Sequence, residues 1–338
     1  MLLHIFPPLF FAACVASALF ARIARKIPAF ERSGGIVVVA LFVLVTHFEA
    51  RIGSQTLLEW NQIRFVDVAA LFFAWIGLLD DRRALSGAVK AFFQTLAVFA
   101  VAFFLFQPFV CPTELLFFSP IRGLFLLKIG SCVGLCFIAT SLFVFVNSFR
   151  WLGETDGLAS VLGIAYAGTL ETIVLAWKEP SLNMQFAFLA LIAILTGFLL
   201  INIPSTTIRL GNVGSLPISF LLAALSFCVF SYREYIRVVP LFCLWTLPTI
   251  DFVFGIARRW TQGKNVFSTD KEGLRYSIRR RLGKDWRASL AILALQIPLS
   301  VAVVVSFKTG YDLVSLVAAA LYWAGLPASG LICSMKKN

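Results

Sequence analysis

Two adjacent carboxylates, Asp80 and Asp81, close an apolar stretch that runs up to Leu79, and Arg82, Arg83 and Lys90 follow them closely. A charged side chain near hydrocarbon is costly unless it sits at the water boundary or faces a polar cavity, so carboxylates in such a place mark a functional site by default. An Asp-Asp pair can grip a divalent cation, and the Arg and Lys beside it can grip an anion. The same residues would also suit a solvated loop after a membrane helix.

Three further polar clusters interrupt the apolar chain. The first runs from Asn147 to Gly157 and holds Arg150, Glu154 and Asp156; the second runs from Asn202 to Ser215 and holds Gly211 and Asn212. Gly-Asn-Val-Gly-Ser just ahead of a helix offers free backbone N–H groups at a positive helix end, which suits phosphate. A Gly-rich turn would read the same way. The third cluster, from Arg258 to Arg287, contains ten Lys or Arg. Its Arg275, Arg279, Arg280 and Arg281 have spacings that would line part of a helix at the membrane surface. Such a helix could anchor on anionic phospholipid or take part in pyrophosphate binding.

The elements that position these groups follow from composition. The chain has 338 residues, 60% hydrophobic and 14% charged, with a mean hydropathy of +0.90. Those values exclude an ordinary soluble globular protein. A hydrocarbon core of about 30 Å takes about 17 to 25 apolar residues per helix. Eleven such stretches recur, near 3–21, 35–50, 65–79, 91–107, 124–146, 158–177, 183–201, 215–232, 238–256, 288–306 and 312–334. The second is interrupted by His47, Glu49 and Arg51, and the third by Asp67. The fold expected is an all-α polytopic membrane protein with about 10–11 transmembrane helices. It forms a single integral membrane domain over 1–338, with a basic cytoplasmic loop at 257–287. The first stretch begins at Met1 without a basic leader and reads as a retained helix.

Placing alternate loops on opposite sides puts 21 of the 29 Lys and Arg on one face. Excess Lys and Arg mark the cytoplasm, which sets the amino terminus outside and the carboxyl terminus inside. All four polar clusters fall on that cytoplasmic face, although the topology was drawn without them. The net charge of +12 then suits anionic phospholipid and phosphorylated substrates. It does not point to nucleic acid, because the cations are spread over many loops. The seven Cys show no C-x-x-C pairing and read as packing residues, and His4 and His47 are too far apart to suggest a metal site.

Taken together, the motifs resemble the polyprenyl-phosphate N-acetylhexosamine-1-phosphate transferase family, over almost the whole chain and in the same order. Arg32-Ser33-Gly34-Gly35-Ile36 is similar to the family's Pro-Arg-x-Gly-Gly turn. Asp80-Asp81 with Leu85, Lys90 and Gln94 is the most specific match. Asn147 and Asp156-Gly157-Leu158 match the two ends of N-x-x-N-x-x-D-G-x-D-G-L. Asn202, Pro204, Gly211, Gly214 and Ser215 match the loop ending in G-D-x-G-S. Pro248, Asp251, Arg258, Arg259, Gly263, Phe267 and Asp270 follow the run toward the family's histidine motif.

The resemblance implies transfer of a sugar 1-phosphate from a UDP-sugar to polyprenyl phosphate, with Mg²⁺ as cofactor, at the cytoplasmic face of a bacterial inner membrane. It assigns catalysis to Asp80, Asp81 and Asp156. Substrate binding falls to Lys90, Asn147, Asn202, Gly211 and Ser215, and Arg150, Arg275 and Arg279, where the chain departs from the family, are expected to take over part of the phosphate neutralisation. The metal would rest on Asp156, with Asn212 at the position of the family's ligand Asp and Glu154 substituting for the carboxylate lost at Gly153. Members of the family often form homodimers.

Several of the family's positions differ here. Arg150 stands for the second Asn of the third motif, Gly153 for its first Asp, Asn212 for the Asp of G-D-x-G-S, and Gly273-Leu274-Arg275-Tyr276 for H-L-H-H. Mg²⁺ prefers anionic oxygen, and Asn offers a neutral carbonyl. Three readings follow: an active transferase with an altered site, a catalytically silent relative that binds lipid phosphate or a pathway partner, and a transporter. The third is disfavoured, because no internal repeat is visible and the polar groups lie at the boundary rather than at mid-membrane depth.

Overall fold

In a computed structural model, the described residues are 6–26, 33–52, 57–110, 113–118, 125–129, 131–152, 157–177, 181–202, 208–232, 235–266 and 272–331. Each of the eleven apolar stretches falls wholly or mostly on a helix. A backbone in lipid must satisfy its own polar groups, and the helix does so within one segment. Among the described residues seven helices are long and apolar enough to cross a membrane. They are α1 (Phe6–Lys26), α4 (Gly87–Val110), α5 (Ser131–Leu152), α6 (Leu158–Leu175), α7 (Leu182–Asn202), α8 (Gly211–Phe230) and α12 (Asp285–Thr309). The protein is therefore an all-α integral membrane protein.

The expected 10–11 spans resolve differently in detail. α9 (Val238–Leu244) and α10 (Thr246–Thr261) are one apolar stretch bent by 72°, an eighth span if counted together. α2 (Gly35–Ile52) has an apolar part that ends at His47, and α13 (Leu313–Ala328) has 16 residues; both are shorter than a full crossing. α3 (Leu57–Arg83) is long, at 27 residues, but carries Glu59, Arg64 and Asp67 in its first half. Its Asp67 is buried and accepts the Thr46 hydroxyl of α2 at 3.0 Å, so the charge that weakens the stretch in sequence is a link between two helices.

A small sheet was not expected. β1 (Thr113–Phe118) pairs antiparallel with β2 (Phe125–Ile129) and parallel with β4 (Tyr235–Arg237), which pairs with β3 (Ser231–Tyr232). Residues 125–129 had been assigned to the start of a helix. A short apolar run suits strand or buried helix equally, and here the available ladder partner decides.

α8 is the central element. Almost all of it is buried, against α2, α3, α5 and α6. At the α9–α10 bend, Gln296 of α12 donates to the freed Leu244 carbonyl at 3.2 Å, and Trp245 donates to Ser226 Oγ of α8 at 3.3 Å. The Gln296 bond satisfies the Leu244 carbonyl, which Pro248 four residues on has no N–H to reach, and the Trp245 bond ties the bend to α8. At the sheet end, Arg237 is ion-paired with buried Asp312, which also accepts the Ser306 hydroxyl. The opposite end gathers the polar clusters.

Candidate active site

Glycine makes the site's close helix approaches possible. A Cβ on Gly77 of α3 would lie 2.2 Å from the Asn212 carbonyl oxygen, and one on Gly35 of α2 would lie 2.2 Å from Gly214 Cα. Backbones this close leave no room for a side chain. The Gly34 and Gly35 N–H groups donate to the carbonyls of Arg209 and Leu210, each at 3.0 Å, and pin the segment ahead of α8. Gly211 then turns the chain with φ +66, a left-handed conformation that glycine adopts freely. We expect Gly77→Val to push α3 off α8 and to cost about 1–3 kcal/mol. A thermal melt of the purified protein in detergent checks this, with Gly168→Ala as the control, since nothing lies within 4 Å of a Cβ there.

This packing sets the end of α3 against the start of α8. Asp80 is buried and ion-paired with Lys90 of α4 at 2.7 Å. It also accepts the Leu85 N–H at 3.1 Å, through a turn in which Ala84 takes φ 45. A non-glycine residue there is strained by about 1–2 kcal/mol, and such strain collects at functional sites. Asp81 accepts the Val213 N–H at 3.1 Å. Asn212 Nδ2 bridges the two acids, at 3.0 Å from Asp80 and 2.9 Å from Asp81, and its Oδ1 accepts Arg150 Nη1 of α5 at 3.2 Å. Burial pushes the Asp81 carboxyl above the usual carboxylate range, opposed by the Val213 and Asn212 hydrogen bonds and reinforced by the charge of Asp80.

Beside the acids opens a cleft of about 240 Å³ between α4, α5 and α10. Lys90, Gln94, Asn147 and Arg150 line it, and Trp151 and Phe252 pack at a 60° tilt in its wall with ring centroids 4.8 Å apart. Gln94 is 2% exposed, and its Nε2 has no hydrogen-bond partner among the described residues. A buried amide donor is costly to leave unsatisfied, so an acceptor from a ligand fits there. The Arg259 guanidinium lies 3.9 Å from the Trp151 ring centroid and stiffens this wall. Trp151 and Phe252 were not singled out from the sequence. The signal was there for Trp151, which lies inside the Asn147–Gly157 cluster.

Other expected residues are placed elsewhere. Asp251 caps α11 (Leu274–Leu282), its Oδ1 accepting the Leu274 N–H at 2.6 Å. A Cβ on Gly273 would meet that carboxylate at 3.0 Å, so the glycine in the histidine-motif position accommodates the cap. Arg275 is buried over the Tyr276 ring, and Arg279 pairs with Asp285 at 2.9 Å; neither lines the cleft. Asn202 ends α7 and is buried, as is Ser215 in α8, neither of them on the cleft wall. Glu154 and Asp156, and with them Arg32, Pro204, Phe267 and Asp270, lie outside the described residues.

Residues 63–229, the span that holds the acid pair, Arg150 and Asn212, match the glycosyl transferase family 4 profile. Over that span the chain is similar to that family. It is 26% identical over 230 residues to phospho-N-acetylmuramoyl-pentapeptide-transferase of Streptococcus pneumoniae (strain 70585), covering 65% of this chain and 62% of the relative. The enzyme of the same name from strain Hungary19A-6 is 25% identical over 233 residues, with the same coverage. The match thus spans about 62% of the length of these relatives.

The Mg²⁺ implied by the resemblance can be tested against the donors that this chain presents. Each oxygen of Asp80 and Asp81 already accepts an N–H, and Asn212 turns its NH₂ rather than its oxygen toward the acids. Asn212 had been expected as a metal ligand, but its Oδ1 is taken by Arg150. Among the described residues no group of three or more His, Cys, Asp or Glu could hold a metal. A hard cation needs several anionic or carbonyl oxygens converging on one point. The described donors do not supply them.

Proposed function

We propose that this chain transfers a HexNAc-1-phosphate from a UDP-sugar to polyprenyl phosphate such as undecaprenyl phosphate, at the cytoplasmic face of a bacterial inner membrane. The product would start a lipid-linked cell-envelope glycan. The carrying observation is the ion pair of buried Asp80 with Lys90, Asp81 beside it, where Lys90 lines a cleft together with Gln94 and Arg150. In the reaction an oxygen of the lipid phosphate attacks the β-phosphorus of the UDP-sugar. The bond from that phosphorus to UMP breaks, and UMP leaves with the electron pair.

Two anionic phosphates must meet, and only fixed positive charge makes that approach cheap. Lys90 and Arg150, which both line the cleft, supply it, and Asp80 and Asn212 bond to each in turn. Asp81 keeps the start of α8 in register through Val213. Gln94 offers its buried amide to a phosphate oxygen. The Trp151 and Phe252 faces suit a flat base. Asp156 is assigned to the nucleotide-sugar side by resemblance. The exposed arginines Arg279, Arg280 and Arg281 on α11 suit anionic phospholipid headgroups.

A second reading, a silent relative that binds lipid phosphate, is favoured by Asn212, whose amide leaves the acid pair satisfied without any ligand. A radiolabelled transfer assay with the purified protein in detergent separates the two. A panel of UDP-HexNAc donors with undecaprenyl phosphate should give lipid-linked product. No product across the panel, from protein that still binds the lipid phosphate, would establish the silent binder.

A further inference from the structure

Two departures from the family pattern, separated by 62 positions, meet in one contact: Arg150 Nη1 donates to Asn212 Oδ1 at 3.2 Å. The amide orientation follows from its neighbours on both sides. Turned the other way, Asn212 would set its oxygen against two carboxylates and its NH₂ against a guanidinium. The order is thus guanidinium, amide, acid pair. Asp80 and Asp81 contribute two negative charges, and Lys90 and Arg150 contribute two positive ones. Among the described residues these four charges balance; Glu154 and Asp156 lie outside them. A divalent cation placed among these four groups would gain no further anionic oxygen from the described residues and would face Arg150, with Asn212 offering it only a neutral carbonyl that Arg150 already engages.

We propose that Arg150, seated on Asn212, takes the place of a divalent cation in this site and binds ligand phosphate directly from the cleft, so that phosphate binding here needs no divalent metal. The guanidinium is fitted to this, being always charged and able to present two N–H groups to phosphate oxygens. Arg150 lines the cleft together with Lys90 and Gln94, whose buried Nε2 has no partner among the described residues, so the cleft holds three N–H donors for an anion. The proposal rests on reading this end of the bundle as a phosphate-handling site.

The test uses the full chain in detergent, with inorganic pyrophosphate followed by calorimetry and Mn²⁺ by electron paramagnetic resonance. Wild-type protein should bind pyrophosphate equally well with EDTA or with Mg²⁺, and should show no bound Mn²⁺ signal. Arg150→Gln should weaken pyrophosphate about tenfold or more, as expected for a lost charged hydrogen bond, and Arg150→Lys should recover part of that. Arg150→Gln combined with Asn212→Asp should gain a bound Mn²⁺ signal. Melting curves confirm that each variant is folded.

The proposal is overturned if wild-type binds Mn²⁺ stoichiometrically and loses it in Asn212→Ala. It is also overturned if EDTA abolishes pyrophosphate binding, if folded Arg150→Gln binds as wild-type does, or if pyrophosphate does not bind at all. EDTA-resistant binding without any sugar transfer would defeat the transferase reading and leave this one standing. Transfer that requires Mg²⁺ would do the reverse.

Discussion

Asp80→Asn should reduce sugar-phosphate transfer about 10³-fold or more while leaving the protein folded. The Asp80 carboxylate receives donors from three elements: Lys90 Nζ of α4 at 2.7 Å, the Leu85 N–H at 3.1 Å and Asn212 Nδ2 of α8 at 3.0 Å. An amide in its place would turn an NH₂ toward at least one of these donors and would lose the charge that holds Lys90. Lys90 would then leave the cleft wall, and one of the two cations that bring the phosphates together would be gone. Removing one preorganised electrostatic contact typically costs about 10²–10³ in rate. The displaced Asn212 and Arg150 add to that. Activity within about tenfold of wild-type would show that Asp80 serves only to hold helices together.

Trp245→Ala should produce the largest loss of stability. Trp245 is fully buried at the bend between α9 and α10. Its ring stacks on Phe145 with centroids 4.6 Å apart, lies 5.0 Å from Tyr166 and 6.1 Å from Phe149, and donates to Ser226. Helices α5, α6, α8, α9 and α10 therefore share one side chain. Within a bilayer, helix association rests on van der Waals packing and interhelical hydrogen bonds rather than on the hydrophobic effect. Truncating the ring removes both and leaves a cavity, at a cost of about 3–5 kcal/mol. The melting midpoint in detergent should fall accordingly, with Trp245→Phe recovering most of it. A midpoint unchanged by Trp245→Ala would mean that the bend is held by its backbone alone.

Hydropathy located the helices well, because a bilayer allows few alternatives to an apolar helix, and all eleven apolar stretches lie wholly or mostly on one. What hydropathy could not show was the 72° bend at Trp245, which depends on Gln296 of α12 accepting and donating at the right depth. The strand at 125–129 was hidden for a related reason: its pairing partners lie elsewhere in the chain, at 113–118 and, through that strand, 235–237. At the site, Asp80, Asp81, Lys90 and Gln94 were legible as neighbours because they share a single helix–turn–helix. Arg150 and Asn212 read in sequence as two separate losses. Only the packing of α5 on α8 shows them as a pair. Arg275 and Arg279 had the spacing of phosphate contacts, yet Tyr276 and Asp285 engage them instead.

The most direct test of the reaction proposed here is the nucleotide released by the purified wild-type chain from a UDP-HexNAc in the presence of undecaprenyl phosphate, quantified against lipid-linked sugar. One UMP for each lipid-linked sugar is the expected result, because the bond broken lies between the two phosphorus atoms of the donor. Release of UDP in that ratio would mean that the sugar moves without its phosphate, and no release of either nucleotide would mean that the site binds phosphate without turning it over.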